Sequence, residues 1–456
     1  MLRVFHHYVS ARKLLLFLAE SLSIGLAGAL GAGMLALWIS PPGTTVPLDR
    51  ALLQLGFYAV CLAAIFQAAL YASDLYDLKV ATEDLGGGGV RLLRASGVAA
   101  FTLGLGGLAF RIRVPSGVLL GGALGGLAGM MAARTALRAH LGQPARVFLL
   151  GNGVKARALA RMIREGGEGA FSVCGMAEPP REGQEAAPPL DEQALRHRAG
   201  YVVVALDESR GARWMDALFR CRLAGIQVYD GAGFCERVLR RLPISSLRPA
   251  ELAFAERLTV SLARRACKRA VDLLGAGLLL LLAAPLGLLV MAAIAADSGR
   301  PIFYAQERVG LFGRTYRLWK LRSMRQDAER GGAVWARKDD DRVTRVGRFI
   351  RKARIDELPQ LYNVLRGDMS LVGPRPERPV FVEQLKQQIP FFELREMVKP
   401  GVTGWAQIRY PYGASVEDAR NKLELDLYYV KNGSLFLDLA ILFHTVRHVL
   451  MGRGAR

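Results

Sequence analysis

Asp356 and Glu357 stand side by side in the run Arg354-Ile355-Asp356-Glu357-Leu358-Pro359-Gln360-Leu361-Tyr362-Asn363. A basic helical segment carrying Arg342, Arg345, Arg348, Arg351, Lys352 and Arg354 leads into the pair, and a Pro374-Arg375-Pro376 turn follows it. Carboxylates among fixed cations suit phosphate chemistry. One can attack phosphorus or act as a base, its neighbour can hold a divalent metal, and guanidinium groups can neutralise phosphate oxygens. An Asp-Glu pair alone is an ordinary solvated helix end; its basic surroundings set this one apart. Arg375 is the best placed of the cations, because prolines fix the backbone on both sides of it.

Further motifs accompany this run in order: Lys268-Arg269 with Asp272, Phe303 with Gln306 and Arg308, Gly310, Gly313, Lys320-Leu321-Arg322-Ser323-Met324, and Lys399-Pro400-Gly401-Val402-Thr403-Gly404-Trp405-Ala406-Gln407. Through them the chain from about Leu262 to Arg456 resembles the bacterial sugar transferases, the large monotopic phosphoglycosyl transferases. The ending, from Ile408 to Arg456, resembles the branch found with exosortase-associated exopolysaccharide systems.

That resemblance implies transfer of a sugar-1-phosphate from a UDP-sugar to polyprenyl (undecaprenyl) phosphate, with release of UMP, as the start of exopolysaccharide repeat-unit assembly. It implies Asp356 as nucleophile, forming a covalent phosphosugar intermediate, and Glu357 as the ligand of a Mg2+ cofactor. Lys320, Arg322, Arg354 and Arg375 are the candidates to hold the diphosphate, with the surrounding cations keeping Asp356 ionised. Gln360 and Asn363 join the substrate-binding set, although such amides also serve as helix caps or scaffold. Arg345, Arg348 and Arg351 read first as a basic membrane-facing helix.

The chain has 456 residues, enough for two or three domains, and 61 Lys and Arg against 40 Asp and Glu give a net charge of +21. Charge alone would suggest nucleic acid. No basic recognition helix or aromatic RNA-binding signature accompanies it, however, and 52% apolar composition points to anionic lipid and diphosphate substrates instead. Five scattered cysteines without metal or disulfide spacing read as reduced cytosolic thiols, and the histidines show no metal spacing.

Four apolar stretches open the sequence, at Leu14 to Ile39, Ala51 to Ala72, Ala95 to Phe110 and Val114 to Ala133. About 20 apolar residues cross a bilayer as a helix, so residues 1–140 are expected to form a four-helix transmembrane bundle. The first stretch is too long for a cleavable signal peptide. Arg3, Arg12, Lys13, Lys79, Arg91, Arg94, Arg134 and Arg138 outnumber Arg50, Arg111 and Arg113 on the opposite side, which places both ends of the bundle in the cytoplasm. Glycines at 121, 122, 125, 126 and 129 give the fourth helix a small-residue packing face. Glu20 is either a functional group within the membrane or a solvated interfacial carboxylate.

Residues 145–245 alternate strands, at 146–150, 201–206 and 226–229, with helices at 154–164 and 214–223. The alternation predicts a Rossmann-like parallel sheet. Gly151 and Gly153 begin a phosphate-binding fingerprint, but Ala156 stands at its third glycine and no acidic residue clearly takes the ribose-binding place after the second strand. The module therefore reads as structural or regulatory, without a dinucleotide, and the resemblance implies a homodimer through it. Residues 178–190 are expected to be a surface loop and 246–262 a linker.

The catalytic region, 263–456, is expected to be an α-rich α+β monotopic domain with a re-entrant helix over about 269–297. Leu273 to Ala296 could span, yet Pro285 removes a backbone bond in its middle. A fifth crossing would carry the catalytic region away from cytoplasmic UDP-sugar, so the helix is expected to break at Ala284-Pro285 and return. Ala284 stands where the family usually has serine. The enzyme is thus placed in the bacterial inner membrane, multi-pass, with its catalytic domain on the cytoplasmic face. Two other readings stay open at this level. A membrane-tethered nucleotide-sugar dehydratase or epimerase would need a complete glycine fingerprint and a Tyr-x-x-x-Lys pair, neither of which occurs in 146–245. A non-catalytic polysaccharide-assembly scaffold would have no use for the Asp356-Glu357 setting.

Overall fold

The computed structural model describes residues 2–4, 7–9, 11–39, 60–71, 75, 95–99, 101–102, 116–141, 144–166, 170–177, 188–207, 214–247, 262–326, 328, 340–410, 413 and 415–450. The chain divides into two compact units, Met1–Leu239 and Arg240–Arg456. The division falls before the expected boundary at 245. Arg241 is ion-paired with Glu424, and Glu424 also accepts the Ile244 N–H, so this segment belongs to the second unit.

The first unit opens with a short antiparallel hairpin, β1 (Leu2–Val4) and β2 (His7–Val9). Among the described residues, helices follow at α1 (Ala11–Ile39), α2 (Val60–Tyr71) and α3 (Ser116–Leu141), with a further helical piece at 95–99 and 101–102. The α1 window Leu14–Gly31 is long and apolar enough to cross a membrane. Much of the second and third apolar stretches lies outside the described residues. Side chains at Gly125 and Gly129 would strike the Ala27 and Ser23 carbonyls, so α1 and α3 approach through the expected glycine face. Glu20 is fully buried, and Arg134 Nε donates to it at 2.5 Å while Arg134 Nη2 donates to the Leu75 carbonyl at 3.1 Å. It is a paired group inside the bundle, not a solvated one.

A four-stranded parallel sheet follows, built from β3 (Ala145–Leu150), β4 (Phe171–Ala177), β5 (Tyr201–Val204) and β6 (Gln227–Asp230) in the order β4-β3-β5-β6. Between the strands run α4 (Val154–Gly166), α5 (Leu190–Arg196) and α6 (Met215–Leu223). Alternate residues of β3 enter opposite layers. Val147 and Leu149 meet Leu159, Ile163 and Phe234, whereas Phe148 and Leu150 meet Leu190, Ala194 and Cys221. Strand β4 escaped the sequence pattern because Ser172, Cys174 and Gly175 interrupt its apolar run. Gly175 is needed there, since a Cβ would collide with the Phe148 ring. Glu178, directly after this overlooked strand, lies outside the described residues.

The second unit is organised around α7 (Leu262–Ser298), a 37-residue helix that is also long and apolar enough to cross a membrane. Pro285 lies inside this helix and does not interrupt it. The first turns hold three polar anchors. Lys268 Nζ donates to Asp438 (2.9 Å) and to the Val372 carbonyl (3.2 Å), and Arg269 donates to the Val364 and Leu365 carbonyls (2.6 and 2.7 Å). Asp272 Oδ1 accepts from the Ser370 hydroxyl (3.0 Å) and the Leu371 N–H (2.9 Å). Near its other end Val290 and Ile294 pack with Leu321, Ile350 and Ile355. Leu274, Leu281, Leu282, Leu288 and Leu289 remain exposed along its length.

The rest of this unit comprises an antiparallel hairpin, β7 (Phe303–Val309) and β8 (Thr315–Leu321), helices α8 (Arg345–Lys352) and α9 (Gln360–Arg366), and strand β9 (Ser370–Val372). Then come α10 (Pro379–Gln388), β10 (Gly401–Thr403), parallel to β9, and helices α11 (Trp405–Arg409), α12 (Val416–Asn432) and α13 (Leu435–Leu450). Ala276 of α7 joins a core of Leu361, Val364, Leu371, Trp405, Tyr428 and Ile441.

Replacing Asp272 by Ala leaves a buried hydroxyl and a buried N–H without their acceptor, at about 1–3 kcal/mol each. Thermal unfolding in detergent should register a fall of several degrees in Tm; an unchanged Tm would deny the anchor any weight.

Candidate active site

The carboxylate pair sits on a single 3-10 turn, Ile355–Glu357, whose placement follows from what precedes it. Thr344 caps α8 by accepting the Gly347 N–H at 2.9 Å, and a Cβ at Gly347 would strike the Ser323 carbonyl. Helix α8 therefore packs tightly beside β8. At its far end Arg354 adopts a left-handed conformation (φ 56°), which reverses the chain and drives Ile355 into the core. Leu358 and Pro359 then lead into α9.

Two neighbouring carboxylates thereby acquire opposite environments. Asp356 is only 7% exposed, and among the described residues none donates a hydrogen bond to its carboxylate. Glu357 gathers cations: Lys320 Nζ and Arg375 Nη2 each reach Oε1 at 3.3 Å, and Arg354 Nη1 lies 3.9 Å from Oε2. Burial raises the Asp356 carboxyl above its ordinary value, with Glu357 adding to the rise and Lys320, Arg351 and Arg375 opposing it. Burial also works against ionised Glu357, but Lys320, Arg375 and Arg354 outweigh it and hold that carboxyl at about 2. Lys320 is lowered by burial, with Glu357 opposing. The cations expected to keep Asp356 ionised thus act first on Glu357, because they touch it directly.

Arg375 is held from three directions. Its Nη1 donates to Gln407 Oε1 at 3.4 Å, and its carbonyl accepts from Arg395 Nη2 at 2.8 Å. Arg395 is itself paired with buried Asp426 at 2.9 Å, and burial pushes that carboxyl up to about 6 despite the pairing. The loops after β9 and around β10 meet backbone to backbone. Gly373 N–H donates to the Thr403 carbonyl and Gly401 N–H to the Pro374 carbonyl, each at 2.9 Å. A Cβ at Gly373, Gly401 or Gly404 would intrude on that contact.

Of the sequence-predicted residues, the structure brings Asp356, Glu357, Lys320, Arg354 and Arg375 together. Gln360 is buried at the first position of α9. Arg322 turns away: its Nη2 donates to the Ser298 and Gly299 carbonyls (2.6 and 2.5 Å), the orphan acceptors at the end of α7. Asn363 is scaffold. Its amide donates to the Arg317 carbonyl at 2.8 Å and accepts from the Trp319 N–H at 3.1 Å, tying α9 to β8. The reading by spacing had missed Gln407, Arg395 and Asp426 as supports of Arg375. Gln407 stands in a motif already singled out, whereas Arg395 and Asp426 carry no local signal, since only the fold makes them neighbours.

Among the described residues no three His, Cys, Asp or Glu side chains cluster as a metal site. The pair still suits a hard divalent ion. Arg354 Nη1 lies 3.9 Å from Glu357 Oε2, and magnesium is commonly held by one or two carboxylates while substrate phosphates complete its shell.

The family model described as bacterial sugar transferase matches residues 263–452. The chain is 45% identical over 267 residues to the UDP-N-acetylgalactosamine-undecaprenyl-phosphate N-acetylgalactosaminephosphotransferase of Aeromonas hydrophila, covering 58% of this chain and 62% of the relative. It is 35% identical over 320 residues to the undecaprenyl-phosphate glucose phosphotransferase of Komagataeibacter xylinus, 68% of this chain and 60% of the relative. The UDP-glucose:undecaprenyl-phosphate glucose-1-phosphate transferase of Caulobacter vibrioides is 44% identical over 185 residues, 40% of this chain and 69% of the relative. The chain thus spans less than two thirds of the Aeromonas and Komagataeibacter proteins.

The depressed Glu357 carboxyl makes stability depend on acid in a defined direction. Its contribution is present in full above its ordinary value of 4.5 and is lost as pH falls toward about 2. The size is on the order of 3 kcal/mol, since the side chain is largely shielded from solvent. Unfolding midpoints of wild type and Glu357→Gln should accordingly converge between pH 4.5 and 2; a constant gap would contradict this electrostatic account.

Proposed function

The chain belongs to the bacterial sugar transferase family, and on that premise we propose that it transfers a sugar-1-phosphate from a UDP-sugar to polyprenyl phosphate, releasing UMP. The observation that carries this reading is the division of labour between Asp356, buried with no hydrogen-bond donor to its carboxylate among the described residues, and Glu357, which gathers Lys320, Arg354 and Arg375 beside it. The relatives' names, which join undecaprenyl phosphate to N-acetylgalactosamine or glucose phosphate transfer, support the acceptor and the class of donor.

In the first step an Asp356 carboxylate oxygen attacks the sugar-bearing phosphorus. The bridging P–O bond breaks and UMP leaves with the electron pair, giving an acyl-phosphate that carries the sugar. In the second step a phosphate oxygen of the polyprenyl acceptor attacks the same phosphorus. The acyl-phosphate bond breaks, Asp356 returns as carboxylate, and polyprenyl-diphosphate-sugar is released. Lys320, Arg354 and Arg375 compensate the charge on the diphosphate as UMP departs. Mg2+ bound through Glu357 would add Lewis-acid neutralisation of phosphate oxygens. The acyl-phosphate forms only from ionised Asp356, so its burial adjusts nucleophile strength as well as access.

A lipid acceptor and a soluble donor must meet at the membrane boundary. Both ends of α7 pack against the one catalytic unit, through Ala276 near the start and through Val290 and Ile294 near the end. That arrangement supports a helix that dips into one leaflet and returns through a bend near Pro285, in place of the expected break at Ala284-Pro285, so that α7 stays one helix and the site lies on the cytoplasmic face of the inner membrane. In this reading residues 1–140 form a four-helix membrane bundle, 145–239 a Rossmann-like module through which two copies pair, 240–262 the segment that leads out of it, with 246–262 as linker, and 263–456 the catalytic domain. The product begins an exopolysaccharide repeat unit.

Purified protein in nanodiscs, with magnesium, polyprenyl phosphate and a panel including UDP-glucose and UDP-N-acetylgalactosamine, should release UMP and show a phosphosugar adduct by intact mass. Asp356→Asn should lose the adduct and at least about 10³-fold in kcat. An adduct that persists in this variant would remove Asp356 from the nucleophile's role. Because protonated Asp356 cannot attack, the acid limb of the rate profile should lie above the ordinary carboxylate value of 3.8.

A further inference from the structure

Open parallel sheets hold phosphates at the C-terminal ends of their strands, in the crevice where strand order reverses. In the sheet module that crevice lies between β3 and β5, because the chain leaves β3 for β4 on one side and comes back to β5 on the other. Gly151 turns the chain after β3 with φ 129°, and Gly153 precedes the 13-residue helix α4. Such a helix start presents unbonded N–H groups and the positive end of the dipole to an anion.

Here two of those donors are already taken. Asp207, just beyond β5, accepts from the Val154 N–H through Oδ2 and from the Lys155 N–H through Oδ1, each at 2.9 Å. The Lys155 ammonium donates back to the Asp207 carbonyl at 3.1 Å. Gly153 lies so close that a Cβ would collide with the carboxylate. The two N–H bonds, helped by Lys155 and Arg157, hold the Asp207 carboxyl below its usual range, as an anion seated at a helix start should be.

We propose that Asp207 is the resident anion of this crevice, occupying the seat of a phosphate with the chain's own carboxylate, so that the module takes no dinucleotide there. A diphosphate needs the same two N–H groups and would meet the carboxylate as a like charge at contact distance. The bond also clasps the loops after β3 and β5 across the crevice, a task a bound cofactor would otherwise perform. The module keeps its shape without one.

Hydrogen exchange by mass spectrometry on the full-length protein in nanodiscs tests this, read on the peptide 151–160 with and without inorganic pyrophosphate or NAD. Wild type should be protected and unmoved by either probe. Asp207→Ala should exchange about tenfold faster and slow again with pyrophosphate. Asp207→Asn, which keeps the side-chain shape, should fall between them, and unchanged sugar-phosphate transfer in both variants reports an intact fold. Wild-type protection that rises with pyrophosphate or NAD would overturn the proposal, because a ligand would then be displacing Asp207. So would an Asp207→Ala protein that gains no response to pyrophosphate.

Discussion

An apolar helix that must touch lipid along one face and a catalytic core along the other needs fixed points, and in α7 these are charged. Lys268, Arg269 and Asp272 bind carbonyls, an N–H, a hydroxyl and the Asp438 carboxylate. Each contact goes to α9, β9, α12 or α13 or to the segments joining them. Directional bonds set the rotation of the helix, which hydrophobic packing alone would leave degenerate. With that rotation fixed, Val290 and Ile294 fall on Ile355, and the turn carrying Asp356 and Glu357 has a floor.

From that floor upward, in the mechanism proposed above, the site separates two tasks that one carboxylate could not perform. A group tightly paired with cations is reliably ionised but poorly available for attack, and a group without pairing is available but costly to bury charged. Adjacent residues on a 3-10 turn resolve the conflict. Glu357 faces Lys320 and Arg375, while Asp356 shares their field without their contacts. Arg375 contributes because its backbone is immobilised by prolines, by β10 and by Arg395, so little freedom is lost when its guanidinium is oriented.

The carboxylate pair, Lys320, Arg354 and Arg375 were legible in the sequence because their chemistry is local and their spacing distinctive. Direction was not legible. Arg322 lies two residues from Lys320 in β8's continuation, yet it closes the end of α7, whose last carbonyls need a donor. Asn363 likewise satisfies the β8 backbone. The sheet module was read with one strand too few, because β4 mixes small and polar residues, and its Gly175 makes room for Phe148 from a different strand. Arg395 and Asp426 lie 31 positions apart in the numbering, and no periodicity relates them. Such supports become visible only when the chain is folded.

The exposed leucines of α7 add a consequence for how the protein rides in its membrane. In the proposed re-entrant reading both ends of the helix return to a single body, and its exposed leucines from Leu274 to Leu289 act as a keel of fixed depth. A keel attached at two points cannot pivot. The height of the Asp356 turn above the acyl chains becomes a dimension of the protein itself, insensitive to how thick the surrounding bilayer happens to be.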